Sequence, residues 1–212
     1  AHFSERVWRL PCYQANAALG SLAPPPPRAE LGLPEGAVVL ASFNQATKLE
    51  PVLWAAWMRV LRACPNAVLW LLASRVSASD NLRVAAGEAG VAPDRLVFAD
   101  FVPRESHLSR LQCADLCLDT RVWGGHTSTS DALRAGVPVL SMRGGHMASR
   151  VAASLLDRVG VADALVVEDL SAYEATAIAL INDAGARAAL RSRIVEGRGP
   201  LFDLPSLARA LE

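Results

Sequence analysis

Six short apolar runs, separated by stretches with helical spacing, set the frame of this chain. Residues 38–43, 68–72, 96–98, 115–119, 137–140 and 164–167 read as strands. Each is too short for a typical helix and too continuously apolar for a sheet with one wet face. Between the first two runs, Pro51 opens a helix whose Leu53, Trp54, Trp57, Val60 and Leu61 fall on one face, with Asn66 closing it. Asp80 is expected to cap a second helix ending at Gly87 or Gly90, and residues 105–112 form a short third one. A hydroxyl-rich start at Thr127 opens another, with Gly136 and Pro138 as stop signals. Residues 148–159 follow, ended by Gly160, and two or three helices complete the chain from Leu170 onward.

This alternation predicts an α/β fold, a doubly wound parallel sheet of the Rossmann-like kind with right-handed crossovers. Residues 38–212 carry the pattern. Residues 1–37 read as an irregular lead-in, because the four prolines at 24–27 must be extended and cannot join a ladder.

In the common strand order 3-2-1-4-5-6 the first and fourth strands are neighbours. The order reverses between them, and ligands bind outside the carboxyl ends at that point. The loop after the first strand carries Asn44, Gln45 and Lys48; the loop after the fourth carries Gly124, Gly125, His126, Thr127 and Ser128. A helix N-terminus there offers amide N–H groups and the positive end of a dipole, a seat for phosphate. The same residues also fit a capping box between Ser128 and Asp131, which needs no ligand. Lys48 is different, since a loop lysine at a switch point has little structural work to do.

Composition narrows the ligand. Lysines plus arginines number 21, as do aspartates plus glutamates, so no net charge draws this 212-residue chain to nucleic acid or an anionic membrane. No run of about eighteen apolar residues suggests a membrane span. Cys12 and Cys64 are isolated, and Cys113 and Cys117 sit in an apolar setting without further metal-type ligands. Four unpaired thiols in a reducing cytoplasm are expected. Ala1 in place of an initiator methionine suggests a piece of something longer. A dinucleotide is disfavoured: the first loop reads F-N-Q-A-T-K, without the G-x-G-x-x-G that admits a pyrophosphate, and no P-loop is present. A diphosphate held by the fourth-strand loop and a lysine from the first suits a nucleotide sugar.

The blocks F-N-Q-A-T-K-L-E-P, N-A-V-L-W-L-L, A-D-L-C-L-D-T, G-G-H-T-S-T-S-D-A-L-R-A-G-V-P-V and A-S-R-V-A-A-S-L-L, in this order and spacing, resemble the carboxyl-terminal lobe of the O-linked N-acetylglucosamine transferases. The chain looks like a bacterial homologue of that family. The resemblance implies the donor-binding lobe of a GT-B glycosyltransferase, with residues 1–37 as an inter-lobe segment and the last helix crossing back to the other lobe. Leu207 and Leu211 should therefore not be fully buried within this chain. It also implies roles. Lys48 would be the catalytic lysine on the donor's diphosphate, with Gln45 beside it. His126, Thr127 and Ser128 would hold the phosphates and Asp131 the ribose. His107 would lie against the uracil with Arg110 nearby, Val102 would offer backbone groups to the base, and Arg104 would reach ribose or phosphate.

Read without the resemblance, His107 is a surface histidine and Arg110 a solvated one. Trp54, Trp57 and Trp70 read as core, and Trp123 is the aromatic placed to line the cleft. The activity implied is inverting, metal-independent transfer of a sugar from UDP-N-acetylglucosamine or a related UDP-sugar to Ser or Thr hydroxyls of a protein. No cofactor is expected. The protein acceptor would be met through an amino-terminal lobe and tetratricopeptide repeats that these residues lack, no repeat of the ~34-residue period being present. A non-catalytic nucleotide-sugar-binding module, or a relative using UDP-glucose or GDP-fucose, are the alternatives.

Overall fold

A computed structural model describes residues 4–6, 8, 10, 19–73 and 76–212. Six parallel strands form one sheet: β1 (Val38–Ser42), β2 (Ala67–Leu72), β3 (Leu96–Ala99), β4 (Leu116–Leu118), β5 (Val139–Met142) and β6 (Val166–Val167), in the order β3-β2-β1-β4-β5-β6. The central seam pairs Leu40 with Leu116 and Ala41 with Cys117. The first and fourth strands are thus neighbours, and the crossover order reverses between them, as in the common doubly wound order.

Every residue of β1 is buried, because helices cover both faces of the sheet. Helix α1 (Pro51–Ala63) lays Leu53, Ala56, Trp57, Val60 and Leu61 into the core. Its first turn is closed by Glu50, whose carboxylate accepts from the amides of Val52 at 2.8 Å and Leu53 at 3.0 Å. Helix α2 (Val76–Glu88) begins before Asp80, which was expected to cap it. Asp80 instead sits inside the helix and pairs with Arg83 at 3.5 Å. A polar run holding Ser77, Ser79 and Asp80 does not say which of its residues stays outside the helix.

Helices α3 (Arg104–Leu111), α4 (Thr127–Arg134) and α5 (Val151–Val159) follow the next strands. Ala164 and Leu165, expected to begin the sixth strand, instead end the single turn α6 (Ala162–Leu165). That strand pairs only with β5 at the sheet edge, so little holds it extended. Helices α7 (Leu170–Asn182), α8 (Ala184–Gly197) and α9 (Leu204–Leu211) complete the chain. Helix α7 packs beside α1, where Arg59 and Glu174 pair at 2.5 Å. Trp57 and Trp70 are fully buried, whereas Trp54 only packs against the core's edge.

In the lead-in, Arg28 ties the chain to the base of the seam. Its guanidinium donates to Ala37 O at 2.8 Å, Cys113 O at 3.0 Å and Asp115 Oδ2 at 2.9 Å. At the other end, α9 buries none of its residues; Leu207 rests partly on the core and Leu211 is 57% exposed. Cys64, Cys113 and Cys117 are buried and unpaired, and burial pushes the Cys117 thiol up to about 12. Cys12 lies outside the described residues. No helix among the described residues is long and apolar enough to cross a membrane.

Candidate functional site at the strand-order reversal

The carboxyl ends of β1 and β4 open into a cleft of about 620 Å³ lined by Phe43, Asn44, Gln45, Thr47, Lys48, Glu50, Val122, Trp123, His126, Thr127 and Ser128. Asp119, 4% exposed and just past the end of β4, ties the surrounding loops together. Oδ1 of this carboxylate accepts from Gly125 N at 2.6 Å, Thr120 N at 2.9 Å and Asn44 Nδ2 at 3.3 Å, and Oδ2 from Ser141 Oγ at 2.7 Å. Burial pushes the carboxyl's pKa up, and these donors, Ser141 foremost, pull it back down. The backbone oxygen of Asp119 accepts from Tyr173 Oη at 3.0 Å, which anchors the strand end to α7.

The glycine loop packs down on that carboxylate. A Cβ on Gly125 would stand 2.6 Å from both Ser128 Oγ and Thr129 Oγ1, and 3.1 Å from Asp119 Oδ1. Only a residue without a side chain lets the backbone approach this closely. Thr129 Oγ1 donates to Gly125 O at 2.9 Å, so the first turn of α4 and the loop hold one another. Within α4 the ladder starts at Ser130 N, which donates to His126 O at 3.1 Å. His126 is the cap residue by position, but its side chain makes no capping bond.

Lys48 closes the cleft from the β1 side. Its Nζ donates to Gly124 O at 3.1 Å, bridging the two loops. Burial lowers the ammonium's pKa, and the negative charge of Asp119 opposes that shift. Gln45 and Lys48 are brought together with His126, Thr127 and Ser128.

The remaining expected residues form an adjoining group on α3 and α4. Arg104 pairs with Asp131 at 2.6 Å. Asp131 is buried and makes no capping bond, so the capping-box reading of Ser128 and Asp131 does not hold. Arg110 is only 6% exposed, not a solvated arginine. It lies over Phe43 at 5.3 Å and Trp70 at 6.0 Å. His107 meets Phe43 edge-on, with centroids 5.0 Å apart. Burial lowers its pKa, and the Arg110 cation adds to the shift. Phe43 therefore joins the two groups. Val102 lies on the exposed loop before α3, outside the cleft lining.

Sequence reasoning missed Phe43 and Asp119, and placed Asn44 in the cleft loop without assigning it a role. Asn44 is central: its Nδ2 donates to Thr120 Oγ1 at 2.9 Å, and its Oδ1 accepts from Ser128 Oγ at 2.7 Å. An Asn directly ahead of Gln45 and Lys48 was the available signal. Among the described residues no group of three or more His, Cys, Asp or Glu side chains is placed to hold a metal ion.

The chain is 34% identical over 219 residues to the "Probable UDP-N-acetylglucosamine–peptide N-acetylglucosaminyltransferase SEC" of Arabidopsis thaliana, covering 99% of this chain and 22% of that protein. To the UDP-N-acetylglucosamine–peptide N-acetylglucosaminyltransferase of Caenorhabditis elegans it is 35% identical over 187 residues, 87% of this chain and 16% of the relative. A solved K341M mutant of the Thermobaculum terrenum O-GlcNAc transferase superposes with a TM-score of 0.82 at 29% identity, covering 98% of this chain and 39% of that one. The chain thus spans under a quarter of these two curated relatives. The glycosyl transferase family 41 profile matches residues 22–211, nearly the whole chain, and the chain belongs to that family.

Proposed function

We propose that this chain is the donor-binding lobe of a protein glycosyltransferase, with UDP-N-acetylglucosamine, the donor named in its relatives, as the sugar source. The observation that carries the reading is the convergence of Lys48 Nζ and the first turn of α4 on one cleft at the strand-order reversal. The diphosphate lies between them. The nucleoside runs toward α3, with the ribose at Arg104–Asp131 and the uracil against His107, beside Arg110 and the backbone at Val102.

Transfer to a Ser or Thr hydroxyl breaks the bond between the anomeric carbon and the diphosphate oxygen, so negative charge grows on the leaving phosphate. An ammonium and a helix terminus fixed at that oxygen stabilise the transition state more than the ground state. Lys48 changes acceptor, from Gly124 O to phosphate, without leaving the cleft. This arrangement suits an inverting reaction without a metal ion or other cofactor, in which the protein acceptor is presented by parts of the full-length protein outside these residues. The reducing cytoplasm is the compartment we assign, a reading supported by the unpaired thiols of Cys64, Cys113 and Cys117.

Titration calorimetry of the chain with UDP, GDP and ADP tests the donor. A preference for UDP is expected; a preference for GDP would redirect the reading to a fucose donor, and binding of none would reject it. Turnover by the full-length protein separates an enzyme from a binding module.

A further inference from the structure

Helix α3 carries Arg104, His107 and Arg110, yet little in its own sequence holds it in place. It is 8 residues long, and Pro103 at its start supplies no capping side chain. A helix this short is marginal by itself, so its position is set by what it touches. Its first turn, residues 104–106, is exposed, and its buried residues are Leu108, Ser109, Arg110 and Leu111. At about 100° per residue, positions 107 and 110 fall on one side of the helix and positions 109 and 112 on the other. The first pair meets Phe43.

The second pair meets the lead-in. Ser109 Oγ donates to Pro24 O at 2.6 Å and Gln112 Nε2 to Ala23 O at 2.8 Å, and the Cys113 thiol just beyond them donates to Pro26 O at 3.4 Å. A polyproline stretch has no hydrogen bonds of its own, so its carbonyls are open to such donors. Each proline ring also locks φ, and Pro27 sits at φ −55° and ψ 138°, so residues 24–27 form a stiff strut. Both ends of the strut are pinned. Leu22 packs on the core at one end, and Arg28 binds Ala37 O, Cys113 O and Asp115 at the other. Helix α3 is thus held between the strut and Phe43.

We propose that residues 23–28 set the position of α3, and that Ser109 and Gln112 are positioning residues for nucleoside recognition by His107 and Arg110. The inference rests on the donor reading above. Neither Ser109 nor Gln112 lines the cleft, so both act through the helix that carries them. The diphosphate seat is built differently, from the β1 and β4 loops bonded to one another through Lys48–Gly124 and Ser128–Asn44. A shift of α3 therefore costs the nucleoside its contacts while the phosphates keep theirs.

The test measures UDP by calorimetry and inorganic pyrophosphate by its displacement of UDP, at a temperature where circular dichroism shows each variant folded. One variant combines Ser109→Ala with Gln112→Ala and removes two donors. The other combines Pro25→Gly with Pro27→Gly and keeps every accepting carbonyl while softening the strut. UDP affinity should fall roughly fivefold or more in both, with pyrophosphate within about twofold of the unaltered chain. Parallel weakening of the two ligands, or unchanged UDP affinity, overturns the strut while leaving the donor site standing. Failure of the unaltered chain to bind UDP, or of pyrophosphate to displace it, overturns the donor reading, and the strut falls with it.

Discussion

Ser128 donates its hydroxyl proton to the side-chain carbonyl of Asn44 at 2.7 Å, joining positions 84 residues apart. The Ser128 hydroxyl proton is thereby committed to Asn44. The bond also sets the orientation of the Asn44 amide, whose nitrogen faces Thr120 and Asp119. Asn44→Asp would put a second carboxylate beside the buried Asp119, and we expect it to weaken nucleotide binding at least about tenfold. Calorimetry with UDP checks this; unchanged affinity would remove Asn44 from the site.

Gly125→Ala tests the close approach of the loop. The added carbon would meet two hydroxyl oxygens, and moving them breaks the Ser128–Asn44 and Thr129–Gly125 bonds. A loss of about 1–3 kcal/mol in unfolding free energy is expected, together with impaired UDP binding. Denaturant unfolding with and without UDP reads both.

Lys48→Met keeps most of the side-chain stem and removes the charge. Only one hydrogen bond, from the half-buried ammonium to the Gly124 carbonyl, is lost, so thermal stability should change little. Turnover by the full-length protein should fall by roughly 100- to 1,000-fold, the usual cost of removing one positioned donor to a developing anion. Burial lowers the Lys48 pKa, so the alkaline limb of the rate profile should begin below the ordinary lysine range and vanish in the variant. A rate equal to that of the unaltered enzyme would leave a binding module as the better reading.

Much of this was legible in the chain, and the limits have physical causes. Buried parallel strands announce themselves as continuous apolar runs, so β1 to β5 fall within a few residues of the runs that predict them. The edge strand β6 and the start of α2 were misjudged, since one has a single neighbour and the other several equivalent polar starts. Lys48 and the Thr127 turn stood out because their chemistry is unusual for loops. Asp119 did not, because a carboxylate at a strand end looks solvated until the donors around it are known, and these come from positions 44, 120, 125 and 141.

Asp131→Asn separates ribose binding from a purely structural role in the pair with Arg104. With no capping bond to lose, the variant should keep its stability within about 1 kcal/mol while UDP binding weakens several-fold. A large drop in melting temperature at unchanged affinity would show that the Arg104 pair serves the fold instead.

His107 gives the chain an acid-side dependence. Its folded pKa lies below the usual histidine value, through burial first and then Arg110, with Arg104 adding to the shift and Asp131 opposing it. The unfolded chain therefore takes up the proton first. Stability is complete above about pH 6.5 and declines as pH falls from there toward the folded pKa. Melting curves between pH 7.5 and 5 should show this slope, flattened in His107→Gln.

The bridge from Lys48 to Gly124 and the bond from Ser128 to Asn44 both cross the seam between β1 and β4. No contiguous stretch of the chain can bind on its own, and any event that parts these two strands erases the whole site at once. Ligand occupancy is therefore a reporter of global integrity: a nucleotide that binds here must raise the melting temperature of the entire sheet in proportion to the logarithm of its concentration. A plain thermal-shift plate of nucleotides and sugar nucleotides becomes a direct screen for the donor, with no acceptor and no turnover required.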